Sequence, residues 1–130
     1  MFEEPPSLDL SKATKLEEVE FRMRAPRAGW VNATLNTTKT KNLRRITIHC
    51  DGCYFGDHRN VQQWRNLDHF LVQLWTARRI PLLFTYRAGW DSSIWLITEL
   101  LPESNTRGAL RMRPVYVNEI ISGKNHILIY

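Results

Sequence analysis

Thiol and imidazole groups come closest together in the stretch His49-Cys50-Asp51-Gly52-Cys53, with His58 five residues further on. Zinc is held by four N/S ligands, so Cys50, Cys53 and His58 are the candidate metal ligands of this chain. A zinc signature carries a second well-spaced ligand pair, and none follows here. His49 and Cys50 are neighbours on a predicted strand, so their side chains point to opposite faces. A redox C-x-x-C wants a helix N-terminus, whereas Gly52, Gly56 and Asp57 predict a loop. Haem attachment needs a His after the second Cys, and Tyr54 stands there. The plain reading, two loop thiols with no metal and no cofactor, is preferred.

Other catalytic constellations are missing. The chain has no G-x-S-x-G, no P-loop and no G-x-G-x-x-G. His58, His69 and His126 are scattered, and Glu17-Glu18 reads as an adjacent, solvated pair. No enzyme activity is expected. Asn32-Ala33-Thr34 and Asn36-Thr37-Thr38 match the glycosylation sequon and are read as unmodified helix surface. Trp30, Trp64, Trp75, Trp90 and Trp95 could stack nucleic-acid bases, but Trp64 and Trp75 fall on a helical stripe, where packing is the default.

Composition sets the frame for these groups. A chain of 130 residues with 43% hydrophobic residues is long enough for one domain with a core. No apolar run reaches the roughly 18 residues of a membrane span. The acidic start Met1-Phe2-Glu3-Glu4-Pro5-Pro6 lacks the basic and apolar regions of a signal peptide, so a cytoplasmic or nuclear location is expected. The net charge of +5 is uneven: residues 1–21 hold six acids against two lysines, and the remainder sixteen Lys and Arg against seven acids. That excess favours acidic partners, nucleic acid among them.

Strands alternate with helices. Residues 1–10 read as a flexible segment, with Pro5-Pro6 opposing regular structure. Leu16–Arg22 and Asn42–His49 show the two-residue alternation of half-buried strands, carried by Val19, Phe21, Ile46 and Ile48. Trp30–Leu35 predicts a short helix that frays in the following Asn-Thr-Thr run. Trp64, Leu67, Phe70, Leu71, Leu74 and Trp75 make one helical stripe over 60–78, with Asp57 or Asn60 as its cap and Pro81 beyond its end. Leu82–Tyr86 reads as a buried strand. A helix is predicted from Ser92 to Leu101, ended by Pro102, then a strand over Ala109–Val117. Segments Val115–Ile121 and His126–Tyr130 flank Ser122-Gly123-Lys124-Asn125, which suits a C-terminal β-hairpin.

The first two strands superimpose: Leu16-x-x-Val19-x-Phe21 on Leu43-x-x-Ile46-x-Ile48, offset by 27 residues. Leucine-rich repeats begin L-x-x-L-x-L with a period of about 20–29 residues. The repeat's usual Asn or Cys is replaced by Arg24 and Asp51, and the later intervals are longer and uneven. Leu43–His49, then Trp64-x-x-Leu67-Asp68-x-x-Leu71-Val72-Gln73-x-Trp75-Thr76, then Arg79-Ile80-Pro81, resembles the C-terminal repeat region of fungal F-box-type leucine-rich-repeat proteins, over residues 16–113. The resemblance implies that the repeats hold a protein partner, while a separate F-box would dock to a ubiquitin-ligase scaffold. No F-box helix set is read ahead of Leu16, and Leu101-Pro102-Glu103 reads as a helix stop.

The expected fold is therefore α/β, a short leucine-rich-repeat-like solenoid with a parallel sheet of about four strands and helices on one side. It would occupy 11–117, with 118–130 a terminal hairpin or tail. Its exposed sheet face would present Glu18, Glu20 and Arg22, then Arg45, Thr47 and His49, then Thr85 and Arg87, then Arg111 and Arg113, running from acidic to basic. The expected function is protein recognition through that face. The alternatives are a basic nucleic-acid-binding domain and a truncated repeat fragment, which would fold poorly.

Overall fold

A computed structural model describes residues 8–23, 27–50, 61–87, 95–115 and 126–129. Alternating segments become strands β1 (Glu18–Met23), β2 (Arg45–Cys50), β3 (Leu82–Arg87) and β4 (Leu110–Val115), with a further strand β5 (His126–Ile129). Between them lie helices α1 (Ala28–Leu35), α2 (Val61–Arg78), α3 (Trp95–Leu100) and α4 (Pro102–Thr106). The strands form one five-stranded parallel sheet in the order β4-β3-β2-β1-β5.

The 27-residue offset is realised in the pairing, where Val19 lies opposite Ile46 and Phe21 opposite Ile48. Leu16 and Leu43, the leading residues of each unit, are buried. Arg44 N–H donates to Glu17 O at 2.8 Å, tying the two units together just before the strands begin. Thr40 closes the same junction, its hydroxyl reaching the carbonyl oxygens of Thr14 and Leu16 at 3.0 and 2.9 Å.

Val19, Phe21, Ile46, Ile48, Leu82 and Phe84 share one sheet face and one core with Trp30, Val31, Leu35, Trp64, Leu67, Leu71, Ile97 and Leu101 from the helices. Phe21 and Trp30 meet edge to face at 5.7 Å. Burying each such side chain contributes roughly 1.5–3 kcal/mol, which fixes the helices on this face.

Helix ends follow local chemistry. Past Leu35, the side chains of Asn36, Thr37 and Thr38 bond to the carbonyls of Asn32, Thr34 and Leu35 at 2.6–2.7 Å. Short polar side chains thus compete with the helix and stop it, as the sequence predicts. On α2 the buried positions are Trp64, Leu67, Asp68, Leu71 and Val72. Phe70, Leu74 and Trp75 are only half-buried, so the stripe is turned slightly from the predicted one. Pro102 does not merely stop a helix. It stands in the first turn of α4, where a missing N–H costs nothing.

Strand β5 pairs in parallel with β1, Glu18 opposite His126 through Phe21 opposite Ile129, at the end of the sheet farthest from β4. The expected C-terminal hairpin falls on residues 115–130, of which 116–125 and 130 lie outside the described ones. One expectation is corrected, and it concerns the sheet face away from the helices. Glu20, Thr47, His49 and Thr85 are 2%, 5%, 8% and 0% exposed, not open to solvent. These four side chains are withdrawn from solvent, while Arg45, Arg111 and Arg113 on the same face are exposed.

Candidate recognition groove on the second sheet face

Strand register aligns the polar residues of the second face into rows. Glu20, Thr47, Leu83 and Arg111 lie side by side across β1–β4, and Arg22, His49, Thr85 and Arg113 form the next row. Ahead of them Glu18 faces Arg45. A groove of about 360 Å³ opens over this face, lined by Glu18, Glu20, Arg44, Arg45, Thr47, Pro81, Leu83, Arg111 and Arg113. Most of the residues predicted from alternation therefore come together. Sequence reasoning missed Arg44, Pro81 and Leu83; the first two immediately precede strands, where alternation gives no signal.

The charges of the groove are unevenly compensated. Glu18 Oε1 lies 3.6 Å from Arg44 and 3.7 Å from Arg45. The buried Glu20 accepts a hydrogen bond from Arg22 Nε at 3.3 Å. Both acids on β1 thus face cations of the same sheet. The acidic end of the expected gradient is thereby flattened, and its basic end on β4 carries Arg111 and Arg113. There Arg111 lies 5.9 Å from the ring centroid of Trp75, which also carries Arg79 at 5.2 Å.

His49 Nδ1 and Thr85 Oγ1 are 2.7 Å apart, a distance that suits a base and a hydroxyl nucleophile. Thr85 has no exposed surface, so a substrate has no approach to that hydroxyl. The pair is a satisfied polar contact in the sheet interior, and the same holds for Asp68. Its carboxylate accepts from Glu103 N–H at 3.0 Å and from Ser104 N–H and Oγ at 2.9 and 2.6 Å. Asp68 thereby caps α4 and fixes it to α2. The signal for it was legible, since an acid stands in the i+4 slot of the apolar stripe from Trp64.

Cys53 and His58 lie outside the described residues, as do Asp57 and Asn60. Cys50 ends β2, level with Met23 and Tyr86. Among the described residues no group of three or more His, Cys, Asp or Glu could hold a metal ion, and no helix is long and apolar enough to cross a membrane. Trp30 and Trp64 are buried in the core, so neither offers a stacking platform. No family model matches the chain, and comparisons with characterised proteins and with solved structures give no match either.

Proposed function

We propose that this chain is a non-catalytic protein-recognition module, built from stacked strand-helix units of the leucine-rich-repeat kind, that holds a segment of a partner in the groove of the second sheet face. It acts in the cytoplasm or nucleus and derives from the partner-binding part of a ubiquitin-ligase adaptor. The paired Leu16-Val19-Phe21 and Leu43-Ile46-Ile48 units support the stacking. One observation carries the recognition reading: charged groups on β1, β2 and β4, with Arg44 just ahead of β2, converge on a single groove with Leu83 and Pro81 among its lining. Such an arrangement orients a partner by charge and gives it an apolar seat.

The test selects peptides from a random library against the immobilised chain and measures them against the double variant Arg45→Glu, Arg111→Glu. Selected peptides should bind the variant at least about tenfold more weakly, with the difference growing as salt is lowered. Equal affinity, with the variant's unfolding midpoint unchanged, removes the groove from consideration. Preferential retention of DNA or RNA, with a steep salt dependence abolished in the same variant, favours the nucleic-acid reading instead.

A further inference from the structure

We infer that the occupant of the groove is an acidic peptide segment, and that Trp75 and Arg79, which lie outside the groove lining, set its basic end by holding Arg111. This rests on the recognition reading above and adds the ligand's chemistry and two positioning residues.

Charge complementarity comes first. Four arginines and two glutamates line the groove. Glu18 is engaged by Arg44 and Arg45, and Glu20 by Arg22, so neither acid is left over to neutralise Arg111. Among the described residues no carboxylate lies within ion-pair distance of Arg111. Its partner is an indole, with the Trp75 ring centroid 5.9 Å from the guanidinium carbon. A cation–π contact is not a hydrogen bond to an acceptor, and the guanidinium keeps the fork of N–H donors that a carboxylate fills with two hydrogen bonds.

Arg79 is the second observation. It follows α2 with φ at 56°, its N–H bonded to Trp75 O at 3.0 Å. Glycine is the ordinary occupant of that left-handed position. Here the position instead holds an arginine whose guanidinium lies 5.2 Å from the ring centroid that Arg111 also approaches. One indole thus carries two cations, and an anion bound beside Arg111 would offset their like charge.

A peptide fits better than a polyphosphate chain. A nucleic-acid backbone would carry regularly spaced negative charge past Glu18 and Glu20. An extended peptide can place one carboxylate at Arg111 and set an apolar side chain on Leu83 and Pro81.

The experiment uses the 130-residue chain and fluorescence polarisation of a fluorescein-labelled decapeptide of alternating Glu and Val, beside its Gln-Val counterpart. The Glu peptide should bind about tenfold more tightly than the Gln peptide, the scale of one charge-assisted bidentate contact. Arg111→Gln should remove that preference and leave the Gln peptide unchanged. Trp75→Leu should weaken only the Glu peptide, by roughly three- to tenfold, and Trp75→Phe should restore part of the loss. Should Trp75→Leu fail to fold, Arg79→Gly suits the left-handed backbone and should weaken the Glu peptide about two- to fivefold. Arg65→Gln, on an exposed position of α2, is the control and should change nothing. Equal binding of the two peptides overturns this inference while the groove keeps its role in recognition. Tighter binding of a single-stranded oligonucleotide to the same arginines overturns it in favour of nucleic acid. Failure of both peptides, with library peptides still bound, overturns the acidic ligand alone; failure of every peptide removes the recognition reading as well.

Discussion

Asp68 is a single carboxylate that answers three donors of a neighbouring helix, two backbone N–H groups and the Ser104 hydroxyl. Its removal would leave those donors unsatisfied in a buried place. Asp68→Ala should therefore destabilise the chain by about 1–3 kcal/mol, more than an exposed substitution such as Arg65→Ala. Urea unfolding of the two variants checks this, and equal midpoints would mean that α4 does not depend on its cap. Nearby, two backbone positions in the left-handed region contrast in their residues. Gly108, with φ at 78°, follows α4 in the ordinary way, while Arg79 takes the same conformation after α2. A non-glycine residue there costs about 1–2 kcal/mol. The cation–π contact with Trp75 offsets part of that cost, roughly 0.5–1 kcal/mol at an exposed site.

At the scale of elements, β4 is an edge strand whose backbone polarity can be assigned. Leu82 N–H donates to Ala109 O at 2.8 Å. In a parallel ladder the N–H groups of Arg111 and Arg113 then face β3, and those of Leu110 and Met112 face outward. Pro114 falls on the outward side, where its missing N–H leaves the ladder intact and blunts the edge. Pro114→Val should accordingly change stability by less than about 1 kcal/mol while raising self-association. Light scattering at rising concentration, beside thermal melts, would test both halves. A large gain of stability would instead place that residue's N–H position against β3, where the new donor completes the ladder. Helix α2 is the central element of its layer, packing against α1, α3 and α4. Leu67 is fully buried on it, within the core that the helices share with the sheet.

For the whole molecule, the decisive feature is the place of β5. The chain builds β1, β2, β3 and β4 as neighbours in order, then returns to pair His126–Ile129 with β1 at the opposite edge. The last strand is thus a component of the sheet, and it covers the edge of β1. Removing residues 126–130 should lower the unfolding midpoint and make the chain associate in a concentration-dependent way, since an uncovered strand edge is a template for pairing. Sedimentation velocity would detect this; a monomer that melts like the full chain would show β5 to be dispensable.

Periodicity in the sequence determined the succession of strands and helices, because burial of one side of each element imposes a two-residue or 3.6-residue rhythm that local reading detects. It also determined that Val19, Phe21, Ile46 and Ile48 share a face, and that the polar residues between them share the other. Alternation assigns a residue to a face but says nothing of what lies over it, so the burial of Glu20, Thr47, His49 and Thr85 was not legible. Nor does any local signal say which strand a terminal segment will join. Nothing in the local pattern of His126–Ile129 points to its pairing with a strand more than a hundred residues earlier. The same limit hid the meeting of Trp75 on α2 with Arg111 on β4, residues 36 positions apart in the chain. Tertiary packing decided these matters because they join groups distant in the chain, and their energies enter only once the elements are brought together.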